Sequence, residues 1–317
     1  MKRGALIIAL TTFMTSITYS QHDSQFSQYM FNLAAVNPGY AGSSDMICLS
    51  AINRQQWLGF PGAPNYSFVN ANAAVKPLGI KSGVGLSILS DNVAFDKDLS
   101  ISGTYAYRYD LGEGTLGIGV NLGVYNTRLE TAKWDIPAEI QESTLPENDP
   151  AVPNTDESRL SFDMAFGLFY KTDKLYFGLS SDHVNRPKVK YVGKNEGYIG
   201  RHYYAVAGYS IQLPNPMIEV LPSVFLKTDG RGNQFDVSTL VRYNKKFWAG
   251  VSFRPGDALI GMVGFELFNG VKIGYSYDFT TSDIGNYSNG SHEFTLGYCF
   301  SLSLDKSPQK YKSIRFL

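Results

Sequence analysis

Several things are scarce in this 317-residue chain. Neither sign of charge is in surplus: 28 Lys and Arg balance 28 Asp and Glu, so nothing steers the protein toward nucleic acid or an anionic membrane surface. Charged residues are only 18% of the total, against roughly a quarter in ordinary soluble domains. The two cysteines, Cys48 and Cys299, are too few for a disulfide framework and lack metal-ligand spacing. The histidines are scattered, and His292-Glu293 opens no H-E-x-x-H motif because Leu296 stands at its last position. Gly114, Gly117, Gly119 and Gly123 miss the G-x-G-x-x-G spacing of a nucleotide loop. No carboxylate is tied by sequence to a nucleophile or base, so no cofactor, metal or catalytic set is expected. Past Ser20 no apolar run approaches the eighteen or so residues of a membrane helix. Any membrane residence must therefore be as strands.

Glycine (31), tyrosine (21) and phenylalanine (20) are plentiful, as tight strand packing and interfacial aromatic girdles require. From Met46 to Phe300 the chain repeats segments of about ten residues with apolar side chains at every second position, broken by turn residues. Phe294, Leu296, Tyr298 and Phe300 alternate with Glu293, Thr295, Gly297 and Cys299, which places one set toward lipid and the other toward a lumen. About fourteen such segments predict an all-β fold, a transmembrane antiparallel β-barrel with an even strand count. Lipid offers no partner for backbone N–H and C=O groups, so the sheet must close. Connections after even strands are brief, as at Lys245-Lys246. Those after odd strands include the long segments Thr127 to Ser158, Asn185 to Arg201 and Phe279 to Ser291. Short periplasmic turns opposite longer external loops give this alternation. The Thr127–Ser158 segment, rich in Pro, Glu, Asp and Asn, is expected to be an acidic external loop.

Residues 1–20 read as a secretory signal, with Lys2 and Arg3 before an apolar stretch and small residues ahead of Gln21. Residues 21–45, with Phe26, Tyr29, Met30, Phe31, Leu33 and Tyr40, are too hydrophobic for a free tail and are expected to pack in or beneath the barrel. Residues 46–300 form the barrel, and 301–317 a basic periplasmic tail with Lys306, Lys310, Lys312 and Arg315. Parity sends Asp236, Arg242, Arg254, Glu266, Lys272, Asp278 and Glu293 into the lumen. Opposite charges on adjacent strands tend to pair, which argues against a wide aqueous channel. Inward Gly117, Gly119, Gly123, Gly167, Gly178 and Gly208 either leave room for a bulky occupant, such as the N-terminal segment, or only ease strand curvature. Cys48 and Cys299 fall in the first and last strands at the periplasmic rim and point inward. Two free thiols are one reading, a disulfide sealing the barrel the other.

Certain ordered motifs go beyond a generic barrel. Phe26-Ser27-Gln28-Tyr29-Met30-Phe31-Asn32 and Asn37-Pro38-Gly39-Tyr40-Ala41-Gly42-Ser43 resemble the mature N-terminus of the PorP/SprF family. Arg54-Gln55-Gln56-Trp57-Leu58-Gly59-Phe60-Pro61-Gly62-Ala63-Pro64 is similar to its first hairpin. Leu221-Pro222-Ser223, Trp248-Ala249-Gly250 and Ile273-Gly274-Tyr275-Ser276-Tyr277-Asp278 match later parts of its pattern. The resemblance implies an outer-membrane component of the type IX secretion system of Bacteroidetes, without enzymatic activity. It would serve export or surface attachment of large adhesins and, in some members, gliding motility. Implied partners are a secreted cargo protein held through its C-terminal domain, other secretion components, some of them periplasmic, and outer-membrane lipid. Arg54, Gln56, Trp57, Gly59, Pro61, Gly62 and Pro64 are the candidate cargo-binding residues, with simple girdle and turn-forming roles as the alternative. The same strand pattern would permit an outer-membrane channel or fatty-acid-type transporter, or, with less support, a surface hydrolase.

Overall fold

The computed structural model describes residues 24–130, 156–190, 196–268 and 270–301. The expected secretory signal, the centre of the expected acidic loop and the expected periplasmic tail lie outside the described residues. The chain forms β1 (Ile47–Gln55), β2 (Asn65–Val75), β3 (Ser82–Val93), β4 (Asp96–Leu111), β5 (Gly114–Leu129), β6 (Glu157–Lys171) and β7 (Leu175–Asp182). A short hairpin, β8 (Lys188–Lys190) with β9 (Glu196–Tyr198), stands apart from the main sheet. The barrel resumes with β10 (His202–Tyr209), β11 (Ile211–Gln212), β12 (Ile218–Thr228), β13 (Asn233–Tyr243), β14 (Phe247–Arg254), β15 (Ala258–Glu266), β16 (Val271–Thr280) and β17 (Ser291–Phe300). β10 and β11 are two parts of one stave broken at Ser210, since both pair with β12. All pairings are antiparallel, and β17 returns to β1 to close a barrel of 14 staves.

Alternation sets the two faces. On β5, Ile118, Val120, Leu122 and Val124 point outward and are exposed, whereas Gly117, Gly119 and Tyr125 face inward and are covered. Tyr107, Tyr109, Tyr209 and Tyr243 are exposed near the periplasmic end, where amphipathic rings suit the lipid headgroups. Toward the outside the outward residues turn polar, with Asn126 and Arg128 on β5 and Ser158 on β6. Strand pairing nevertheless continues there through Thr127–Arg159, Arg128–Ser158 and Leu129–Glu157. The expected Thr127–Ser158 loop is thus shortened at both ends. Sixteen residues of β4 or β5 run about 50 Å along the strand, which at a tilt of about 40° is roughly 40 Å of height against an apolar band about 25 Å tall, so this part of the wall rises above the membrane. β7 stops at Asp182, where His183 takes a positive φ of 54°.

Cys48 and Cys299 are directly opposed in the β1–β17 register, with Cα atoms 4.1 Å apart, and form a disulfide across the closing seam. Non-reducing mass spectrometry is expected to recover the two cysteine peptides as one linked species. Alkylation of both thiols in the unfolded, unreduced chain would contradict the bond.

Candidate functional site

The lumen is occupied by the N-terminal segment. Three 3₁₀ turns, Tyr29–Phe31, Leu33–Ala35 and Pro38–Tyr40, carry it through the barrel. Such a path leaves backbone groups without ladder partners, and inward side chains supply them. The Glu293 carboxylate accepts two successive plug amides, from Ser27 at 2.7 Å and Gln28 at 2.8 Å. Ser27 Oγ donates to Asp278 at 2.8 Å and accepts from Arg54 Nη1 at 2.8 Å. Arg54 Nη2 lies 2.8 Å from Asp278 Oδ2, which Arg254 Nη1 also approaches at 3.2 Å. Arg254 grips Asp236 with two arms, at 2.9 Å and 2.8 Å. Arg54, Arg254, Asp236, Asp278 and Glu293 are all buried, and charge-assisted bonds among such groups are the strong ones.

Of the lumen residues expected from parity, Asp236, Arg254, Asp278 and Glu293 come together in this network. Arg242 instead pairs with Glu219, its Nε donating at 2.9 Å, and Glu266 stands 3.8 Å from Lys272. Those two pairs lie toward the periplasmic end. Arg54 is the notable displacement: as a hairpin residue it was expected to meet cargo, yet it is 1% exposed inside the barrel. Parity held the signal, because Arg54 lies an even number of residues from inward-facing Cys48.

Apolar grips complete the hold. Phe26 packs with Ile52, Tyr66 and Phe68. Tyr29, Leu33 and Val36 join Phe169, Tyr204, Val206 and Phe225, and Met30 and Phe31 lie against the cluster of Leu240, Trp248, Ile260 and Met262. Tyr29 hydrogen-bonds Ser223 at 2.9 Å and Ser238 at 3.2 Å. Lower down, Asn37 Nδ2 donates to the carbonyls of Leu168 at 3.0 Å and Leu179 at 3.3 Å. A Cβ on Gly117 or Gly119 would collide with the plug backbone at Pro38 and Gly39, and one on Gly167 or Gly178 with Asn37. Gly39 is equally constrained, since its Cβ would stand 2.8 Å from Gly117 O and 2.9 Å from Phe169 N. Gly123 and Gly208 have another reason, meeting Ser102 with Ile101 O and the Tyr176 ring respectively.

The second candidate region lies at the outer rim, where the 56–64 hairpin is tied to both neighbouring turns. Leu58 N donates to Gly290 O at 2.8 Å, Asn289 N to Leu58 O at 2.7 Å, and Ala94 N to Gly62 O at 3.0 Å. Gly59 and Gly62 have φ of 91° and 75°, values that favour glycine, which gives both a turn-forming role. Gln56 and Pro64 are buried, Trp57 is half-buried, and Gly59, Pro61 and Gly62 are exposed. The apolar surface comes from residues that sequence reading passed over, Leu58 and Phe60, together with Tyr287 from the last outer loop.

Among the described residues no group of three or more His, Cys, Asp and Glu side chains is placed to hold a metal ion. Solved structures similar in fold include Omp33 of Acinetobacter baumannii, at 9% identity and a TM-score of 0.46, covering 80% of this chain and 98% of that one. The toluene transporter TbuX of Ralstonia pickettii aligns at 12% identity and a TM-score of 0.46, covering 86% and 93%. A Pseudomonas aeruginosa FadL homologue aligns at 10% identity and a TM-score of 0.43, covering 80% and 88%. Comparison with curated proteins gives no match. The family model of the type IX secretion system membrane protein PorP/SprF matches residues 18–298. A closed outer-membrane barrel matched over nearly its whole length in this way belongs to the PorP/SprF family, as an outer-membrane component of the type IX secretion system.

Proposed function

We propose that this barrel is a non-enzymatic anchor, which holds an exported adhesin-like protein by its C-terminal domain at the outer rim and thereby supports surface attachment and gliding motility. Family membership implies association with other type IX secretion components, and the anchor would work beside them. The observation that carries the reading is the contrast between the two ends of the fold's design. The lumen is filled by the chain's own plug, while the outer rim offers a tied-down platform with exposed Leu58, Phe60 and Tyr287. Fixing such a platform in advance lowers the ordering cost of binding, and apolar and aromatic side chains there suit a folded protein surface.

The test is a Leu58→Glu, Phe60→Glu double variant expressed in place of the native gene. It is expected to assemble with its Cys48–Cys299 link intact while the cells lose a surface adhesin, as cells lacking the gene do. If the surface proteins of variant and null strains both match wild type, the anchoring role is wrong.

A further inference from the structure

The plug has a direction. Gly42 N donates to Asn72 Oδ1 at 3.3 Å near the periplasmic end of β2, and Gly42 lies against Gly83 on β3. At its other end Ser24 Oγ donates to Asp91 Oδ2 at 3.2 Å, on the same strand β3. Gly83 and Asp91 are separated by about 26 Å along that strand at roughly 3.3 Å per residue, and Asp91 sits close to the outer turn. Other contacts agree. Ser27 meets Arg54 near the outer end of β1, while Lys171 Nζ, at the periplasmic end of β6, donates to Ser43 O at 3.2 Å. Read from Ser24 to Asp45, the segment therefore descends from the outer mouth to the periplasm, where it joins β1.

We propose that the amino-terminal end of the plug is presented at the outer mouth, so that the chain's N-terminal side faces the exterior although β1 begins in the periplasm. The charged network lies at that same outer end, with Arg54 penultimate in β1 and Arg254 last in β14. A hold placed there fixes the Ser24 end of the plug on the exterior side of the bore. This topology is independent of the cargo-anchoring reading and is tested without any cargo.

The native cysteines are bonded to each other, so a single introduced cysteine reports its own exposure. Asp23→Cys is compared with Asp173→Cys, which lies in the exposed turn between β6 and β7 at the periplasmic end. Whole cells carrying either variant are treated with a membrane-impermeant maleimide, before and after permeabilisation, and the Cys48–Cys299 link is checked in each to confirm assembly. Asp23→Cys is expected to label equally in intact and permeabilised cells, with Asp173→Cys labelled only after permeabilisation. An Asp23→Cys protein that is assembled but protected in intact cells overturns the proposal. If that variant fails to assemble, an epitope placed between Asp23 and Ser24 and stained on intact cells gives the same two outcomes.

Discussion

Arg54→Ala is expected to lower the unfolding free energy by about 3–5 kcal/mol, the cost of breaking a buried ion pair by removing one partner. Arg54 is 1% exposed, and its loss leaves Asp278 and Glu293 sharing the network with one cation fewer. Neither carboxylate has a route to solvent, since their side chains are 2% and 0% exposed. The substitution also removes a donor to Ser27 Oγ at 2.8 Å, so the plug loses one of its outer holds. Denaturant titration of the purified barrel in detergent, at unchanged m-value, measures the effect. Arg54→Lys keeps the charge but not the planar two-armed donor, and should fall between alanine and wild type. A loss below about 1 kcal/mol, the level of an exposed pair, would mean that water reaches the network.

Deleting residues 24–41 should convert a barrel with no large conductance into an open, steady channel in planar bilayers. These residues fill the bore from Asp91 near the outer turn to Gly83 near the periplasm. Without them the lumen retains Asp236, Asp278, Glu293, Arg54 and Arg254 on its wall, a polar lining that water can wet. The deletion also uncovers Phe169, Phe225, Leu240 and Met262, so the open form should be less stable than the plugged one. Large steady currents from the intact protein would favour a channel over an anchor. A deletion variant that folds with its disulfide yet stays closed would show that something other than this segment seals the bore.

Much of the fold was legible because a membrane leaves strands few options. Period two placed Asp236, Arg254, Asp278 and Glu293 inward, and the hydrophobicity of Phe26, Tyr29 and Leu33 marked a segment needing cover. Other features depend on relations between strands that no single segment contains. That Cys48 faces Cys299 requires the closing register, which parity alone does not set. The apolar lumen patches left a trace in β15, where Ile260 and Met262 face inward while Leu259 and Val263 face outward. A strand apolar on both faces has something to bury on each, and here the inner partner is the plug. Arg54 carries a related lesson: its motif suggests the outer rim, but it lies within β1, which runs to Gln55, and its even spacing from Cys48 turns it into the lumen.

The bond between Cys48 and Cys299 spans 251 residues of sequence and turns the barrel into a covalent ring, with the plug joined to it just before β1. A ring has no first or last strand. A protease that cuts once in an outer loop leaves every stave still joined to every other, and the new ends become the termini of a permuted chain. The outer surface can therefore suffer a single cleavage without the wall losing covalent continuity, a tolerance that a linear barrel, held at its seam by hydrogen bonds alone, does not have.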